Sequence, residues 1–154
     1  MTLLQACQSV HEMAYVYRHR FGFPVDVVAD RPLLITGEHV AALAMPQPLG
    51  SAVRNRLIHA GAASVPVITH LKHPRWIFLV GSSQPTIETQ SSATLAAFGV
   101  EALGPAKKVW LPHRDTSVGW RWASEPQPTT TPTDQAAVPA CWQVLAMANA
   151  VIHL

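Results

Sequence analysis

Carboxylates are the first residues to test for chemistry. The chain has nine: Glu12, Asp26, Asp30, Glu38, Glu88, Glu101, Asp115, Glu125 and Asp134. A divalent-metal site needs several of them converging from neighbouring strands. Asp26 and Asp30 would share a face only if one strand ran through both, and Arg31-Pro32 argues for a turn there instead. Histidine is frequent, at eight residues. His70-x-x-His73 has a spacing found in zinc sites, but no cysteine pair or second histidine pair stands near it. The plainer reading is a polar loop between strands. His11 and His19 align roughly on one helix face, which reads as a solvated surface. There is no G-x-S-x-G elbow and no phosphate-cradling loop, and Ser82, Ser83, Ser91 and Ser92 read as loop and cap serines. These residue types predict no catalytic group, no metal and no cofactor.

Basic residues are few but grouped: Lys72 and Arg75 near one hairpin, Lys107 and Lys108 before a strand, Arg114 and Arg121 close by. Trp76, Trp110, Trp120 and Trp122 are interleaved with them. Cations beside aromatics on a sheet can hold nucleic acid by charge and base stacking. The candidate contacts are therefore Lys72, Arg75, Trp76, Lys107, Lys108, Arg114 and Arg121. The plainer alternative is that the tryptophans pack the core or a strand edge, with solvated cations around them.

These residues need elements to position them. Thr2–Arg20 reads as a helix capped by Thr2, with Leu3, Leu4, Cys7, Val10, Ala14 and Tyr17 at helical spacing. Pro24–Ala29 and Leu33–Thr36 read as strands joined by a turn at Asp30, Arg31 and Pro32, and Gly37–Glu38 is a second turn. Val40–Met45 reads as a strand, weakened by its alanines, and Pro46 and Pro48 as a break. Leu49–Ala60 is a helix with Gly61 as its cap. Val65–Thr69 and Trp76–Val80 form a hairpin around His70–Pro74. A loop at Gly81–Pro85 leads into a helix at Ile87–Phe98, closed by Gly99. Strands follow at Val100–Leu103, Lys108–Leu111 and Gly119–Ala123.

That order predicts an α+β fold: a mostly antiparallel sheet flanked by helices, over residues 1–124. Glu125–Ala140 holds four prolines and a run of threonines, which reads as a linker with little packing capacity. Residues 141–154 carry a C-terminal helix at Cys141–His153, apolar at Val144, Leu145, Met147, Ala148 and Val151. It either returns to its own domain or docks on a partner.

Composition bounds the rest. A chain of 154 residues makes one domain with a real core, and its 49% hydrophobic and 13% charged residues exclude global disorder. The apolar stretches at Trp76–Gly81 and Cys141–Leu154 are short of the roughly 20 residues that span a bilayer. No membrane partner is expected, and with no basic start before an apolar run the expected location is cytoplasmic. Cys7 and Cys141 read as two buried thiols in terminal helices. The net charge of +2 does not by itself argue for nucleic acid.

The strand segments resemble a known family. Tyr15-Val16-Tyr17-Arg18-His19-Arg20-Phe21-Gly22-Phe23-Pro24-Val25 is similar to an opening helix that enters its first strand through glycine, aromatic, proline and valine. Leu33-Leu34-Ile35-Thr36-Gly37 and Val40-Ala41-Ala42-Leu43-Ala44-Met45-Pro46 resemble a strand pair that carries catalytic acids. Val67-Ile68-Thr69 through Arg75-Trp76-Ile77-Phe78 resembles a hairpin with a nucleotide-binding histidine. Val100-Glu101, Val109-Trp110-Leu111-Pro112 and Gly119-Trp120-Arg121-Trp122 resemble its last strands. The family is the bacterial bifunctional DNA primase/polymerase N-terminal domain, of the prim-pol or archaeo-eukaryotic primase superfamily, in its shortened relatives. The likeness runs from about Tyr15 to Trp122 and implies a prim-pol/RRM-like core.

The departures fall on the chemistry. Ala44 and Pro46 stand where the family has two aspartates as metal ligands. Its histidine falls at Arg75 or Trp76, and its glycine-rich turn is replaced by Leu71-Lys72-His73. Only Glu101 stands where a third acid would fall. Nucleotidyl transfer needs metal ions to neutralise developing charge. The resemblance therefore implies a degenerate, non-enzymatic relative: a nucleic-acid-binding module for single-stranded or duplex nucleic acid, accessory to DNA replication or its regulation. The alternative is a protein-interaction module that forms a homodimer or docks a partner through its tryptophan-rich strands and C-terminal helix.

Overall fold

The computed structural model describes residues 2–37, 39–62, 64–81, 93–113, 119–128 and 137–153. The first helix, α1 (Val10–His19), begins later than expected. Ser9 is extended and its Oγ accepts the Glu12 N–H at 3.1 Å, while the Glu12 carboxylate accepts the Gln8 N–H at 2.7 Å. This reciprocal cap fixes the start of the helix and is worth about 1 kcal/mol. Thr2 caps only a separate turn, through the Gln5 N–H.

Strands β1 (Val25–Val28) and β2 (Arg31–Ile35) form a hairpin. Its turn is Ala29–Asp30, with φ of 52° and 58°. Two consecutive positive φ values make the tight turn that matches strand twist. Arg31 and Pro32 consequently belong to β2, and the turn expected at Asp30–Pro32 sits one residue early.

Strand β3 (Ala41–Pro46) runs directly into α2 (Gln47–His59). Pro46 is the helix N-cap and Pro48 lies in the first turn, where a fixed φ suits a helix and no N–H is needed. The break expected at these prolines is instead a strand-to-helix junction. The expected hairpin is present as β4 (Val67–His70) and β5 (Arg75–Val80). Residues 93–97 are helical (α3); the loop expected at Gly81–Pro85 and the start of that helix fall almost wholly outside the described residues. Then come β6 (Glu101–Leu103), β7 (Lys108–Trp110), β8 (Trp120–Ser124) and α4 (Cys141–Ile152).

The fold is α+β with two antiparallel sheets flanked by helices. The smaller sheet has the order β1-β2-β7 and the larger β6-β3-β5-β4-β8. Strands β6 and β7 are neighbours in sequence yet lie in different sheets. Thr36 holds the crossing: its buried hydroxyl donates to the Gly104 carbonyl at 2.6 Å and accepts the Lys107 N–H at 2.9 Å.

Period-two alternation makes the larger sheet the middle layer. Ala42, Ile68 and Leu79 point to one face and pack with Met13 and Tyr17 of α1 and Leu34 and Val109 of the smaller sheet. Leu43, Met45, Val67, Phe78 and Val80 point to the other, against Val53 and Leu57 of α2, Leu95 of α3, and Val144 and Ala148 of α4. We call these the α1 face and the α2 face. The C-terminal helix thus returns to its own domain.

The described parts of the proline-threonine segment pack more than their composition suggests. Pro126 and Pro139 are buried, the Gln127 N–H donates to Ser64 Oγ, and the Gly81 N–H donates to the Pro139 carbonyl at 2.8 Å. Its residues 129–136 lie outside the described residues. Cys7 and Cys141 are both buried thiols. Among the described residues no helix is long and apolar enough to cross a membrane.

Candidate nucleic-acid interface

The β4–β5 hairpin decides where the predicted contacts point. Arg75 is paired with Pro46 in register, and Glu101 with Ala44. All four residues lie on the α1 face. There Arg75 donates to the Glu101 carboxylate at 3.2 Å and to the Gly99 carbonyl at 3.2 Å. Ala44 and Pro46 thus stand in register with the two members of an ion pair. The one acid left at that place is already engaged by Arg75.

Trp76 points the opposite way, into the α2 face. A Cβ on Gly50 of α2 would stand 3.0 Å from the Trp76 Cβ, so any larger residue there would push Trp76 or the helix back by a few tenths of an ångström. Thr69, Arg121 and Ala123 share this face by alternation. Thr69, Trp76 and Ala123, with Gln47 and Arg54 from α2 and residues 70–74 of the loop, surround a cleft of 640 Å³. The lining includes Arg54, Lys72, His70 and His73, and among the described residues it contains no carboxylate. Arg121 is exposed on β8, opposite Thr69.

The loop is held in shape. His70 Nδ1 accepts the Lys72 N–H at 3.0 Å. The His70 ring lies 4.6 Å from the His73 ring and edge-on to Trp120 at 4.5 Å. Gly119 has φ of +90°, and a Cβ there would meet the imidazole at 2.9 Å. Only glycine fits. The His70–His73 pair is thus a loop clasp beside the cleft. Among the described residues no group of three or more His, Cys, Asp or Glu could hold a metal ion.

Lys107 and Lys108 do not join this cluster. Lys107 is tied to Thr36, just before β3 begins, and Lys108 pairs with Ile35 in the smaller sheet. Arg75 and Lys72 lie at the other end of β3. Six strand residues separate the two groups by about 17 Å at 3.3 Å per residue. Arg114 lies outside the described residues. Of the predicted contacts, the structure brings Lys72 and Trp76 together at the cleft, and Arg121 is on the same face, opposite Thr69 on the neighbouring strand. Sequence reading missed Arg54. Its signal was its place seven residues after Gln47, on the same side of the helix.

The other tryptophans are occupied. The Arg31 guanidinium lies 4.1 Å over the Trp110 ring. Trp120 and Trp122 are half-buried against the α1-face core. Trp122 Nε1–H donates to the Tyr17 hydroxyl at 3.2 Å, which itself donates to the Pro112 carbonyl at 2.7 Å. Burial pushes the Tyr17 hydroxyl far above the ordinary tyrosine range, against a smaller lowering by Trp122. These rings are packing, as the plainer reading holds, and only Trp76 faces the cleft.

Comparison with protein-family models, with curated proteins and with solved structures finds no match. The site is therefore read from its own geometry.

Proposed function

We propose that the chain is a non-catalytic, prim-pol-like nucleic-acid-binding module that uses the hairpin end of the larger sheet. One observation carries the reading: a concave cleft lined by Arg54, Lys72, His70 and His73, with no carboxylate among its described lining residues and with Arg121 on the adjoining strand. Cations in a groove attract phosphates where no nearby acid neutralises them. Trp76 in the same cleft supplies an aromatic surface. Arg75 is spent on Glu101, and Lys107 and Lys108 lie too far away, so the contact set is narrower than the sequence suggests. The non-enzymatic part rests on Ala44 and Pro46 at the acid positions and on the engagement of Glu101 by Arg75. A role accessory to DNA replication follows from the resemblance alone.

The test is fluorescence anisotropy of labelled single-stranded and duplex DNA and RNA at two salt concentrations. Three phosphate contacts give a single-strand salt slope of about −2, hence roughly a tenfold to twentyfold loss from 50 to 200 mM salt. Absence of binding at low salt would refute the reading.

A second reading, self-association, is favoured by one observation. Trp142 and Ile58 remain 53% and 46% exposed, with Trp142 lining an apolar groove between α2 and α4. It predicts a dimer in light scattering that Trp142→Glu converts to a monomer.

A further inference from the structure

We propose that the cleft between α2 and the β4–β5 hairpin seats a phosphate group on Arg54 and Lys72. The inference deepens the function proposed above and rests on the same cleft, and the first arm of its test is read without any polymer.

The cleft, at 640 Å³, falls in the size range of small-molecule sites. It holds far more than a few waters at roughly 30 Å³ each. Gln47, Arg54, Thr69, Lys72 and His73 give it a polar part beside the apolar Trp76 and Ala123, and none of its described lining residues is an acid. Arg54 leaves α2 two turns after Gln47, and long helical side chains lean back toward the helix start. Its Nε is buried and has no hydrogen-bond partner among the described residues. A guanidinium has donors only, so what completes it is an acceptor, best a negatively charged one. Buried donors are otherwise almost always paired. Lys72 is exposed on the loop above, and its backbone N–H is fixed by His70. The start of α2 adds charge of the same sign, since it has no side-chain cap and no acid in its first turn. Two cations with no opposing carboxylate among the described residues favour a phosphate over a neutral ligand.

This place differs from the one the family resemblance points to. Ala44, Pro46, Arg75 and Glu101 lie on the α1 face, whereas Arg54, Thr69 and Trp76 lie on the α2 side. The phosphate can belong to a small phosphorylated compound or to a nucleic-acid backbone, for the two present the same oxyanion.

The experiment titrates the full chain with inorganic pyrophosphate at low ionic strength, followed by calorimetry. Binding in the millimolar range or tighter is expected. Lys72→Ala and Arg54→Gln should each weaken it at least tenfold, and Lys108→Ala should leave it within twofold. Lys72 is an exposed loop residue, so its variant keeps the fold even if Arg54→Gln does not, which circular dichroism checks. A second arm adds pyrophosphate to a fluorescent oligothymidylate complex. Displacement supports the seat with a backbone phosphate as occupant. Pyrophosphate binding without any oligonucleotide binding supports the seat with a small compound as occupant, and removes the nucleic-acid reading. No pyrophosphate binding at 10-fold above millimolar concentration, or equal weakening in Lys108→Ala, overturns the proposal.

Discussion

Lys72 and Arg75 sit three residues apart on one hairpin, and the two faces of the larger sheet treat them differently. On the α1 face Arg75 has a carboxylate and a carbonyl to satisfy it. Beside it the surface is closed by α1 and the smaller sheet, with Tyr17 as the seal. On the α2 face the helices cover the sheet up to Trp76 and then stop, and Lys72 and Arg54 share a cleft with no acid among its described lining residues. One strand thus serves a finished surface on one side and an unfinished one on the other. Electrostatic capacity follows from which cations lack a counter-charge, not from how many there are. A count of basic residues treats Arg75, Lys72 and Lys107 alike, and the fold does not.

The largest expected effect tests the closed face. Tyr17→Phe removes a buried hydroxyl that donates to Pro112 and accepts from Trp122, leaving both unpartnered. The cost should be about 1–3 kcal/mol by urea unfolding. The same residue gives a pH signature. Its folded-state ionisation is pushed up, so above pH about 10 the unfolded chain releases a proton that the folded chain keeps. Stability is therefore complete below pH 10 and falls as pH rises further, by up to about 1.4 kcal/mol per unit. Tyr17→Phe should flatten that alkaline slope. An unchanged slope would show that Tyr17 is not sealed.

The next effect tests the clasp of the open face. Gly119→Ala places a Cβ against the His70 ring at a positive φ. It should lower stability by about 1–2 kcal/mol. It should also weaken nucleic-acid binding, because the loop carrying Lys72 moves with His70. Loss of stability with intact affinity would separate the clasp from the cleft.

Charge reversal compares the two cationic regions directly. Lys72→Glu with Arg121→Glu should reduce single-strand affinity at least tenfold at low salt, whereas Lys107→Glu with Lys108→Glu should change it by less than threefold. The phosphate contacts removed should also make the salt dependence shallower by about 0.7 per contact. The smallest effect belongs to the ion pair. Arg75 and Glu101 have side chains 46% and 58% exposed, so their pair contributes less than about 1 kcal/mol. Glu101→Gln should leave stability nearly unchanged, and by releasing Arg75 should raise affinity slightly.

Much of the fold is legible in the chain because it is written locally. The β4–β5 hairpin, β3, α2 and α4 follow from short apolar runs bounded by proline, glycine and polar residues. What is not legible depends on long-range pairing. The 104–107 crossing sends β7 to a different sheet from β6, and nothing near Lys107 announces that Thr36 receives it. This is why Lys107 and Lys108 were grouped with the hairpin cations and why they part from them. The helix start at Ser9 was masked by apolar residues that continue the spacing backward to Leu3. For the site, strand alternation alone separates Arg75 from Trp76. Arg54 becomes visible only when α2 is laid beside the hairpin.

The most direct measurement is amide hydrogen exchange of the full chain, with and without a saturating single-stranded oligonucleotide. Slowed exchange confined to residues 69–76 and 119–123 and the first turns of α2 is the predicted result. Protection centred on residues 101–110, or none at all, would contradict the assignment of the open face as the binding surface.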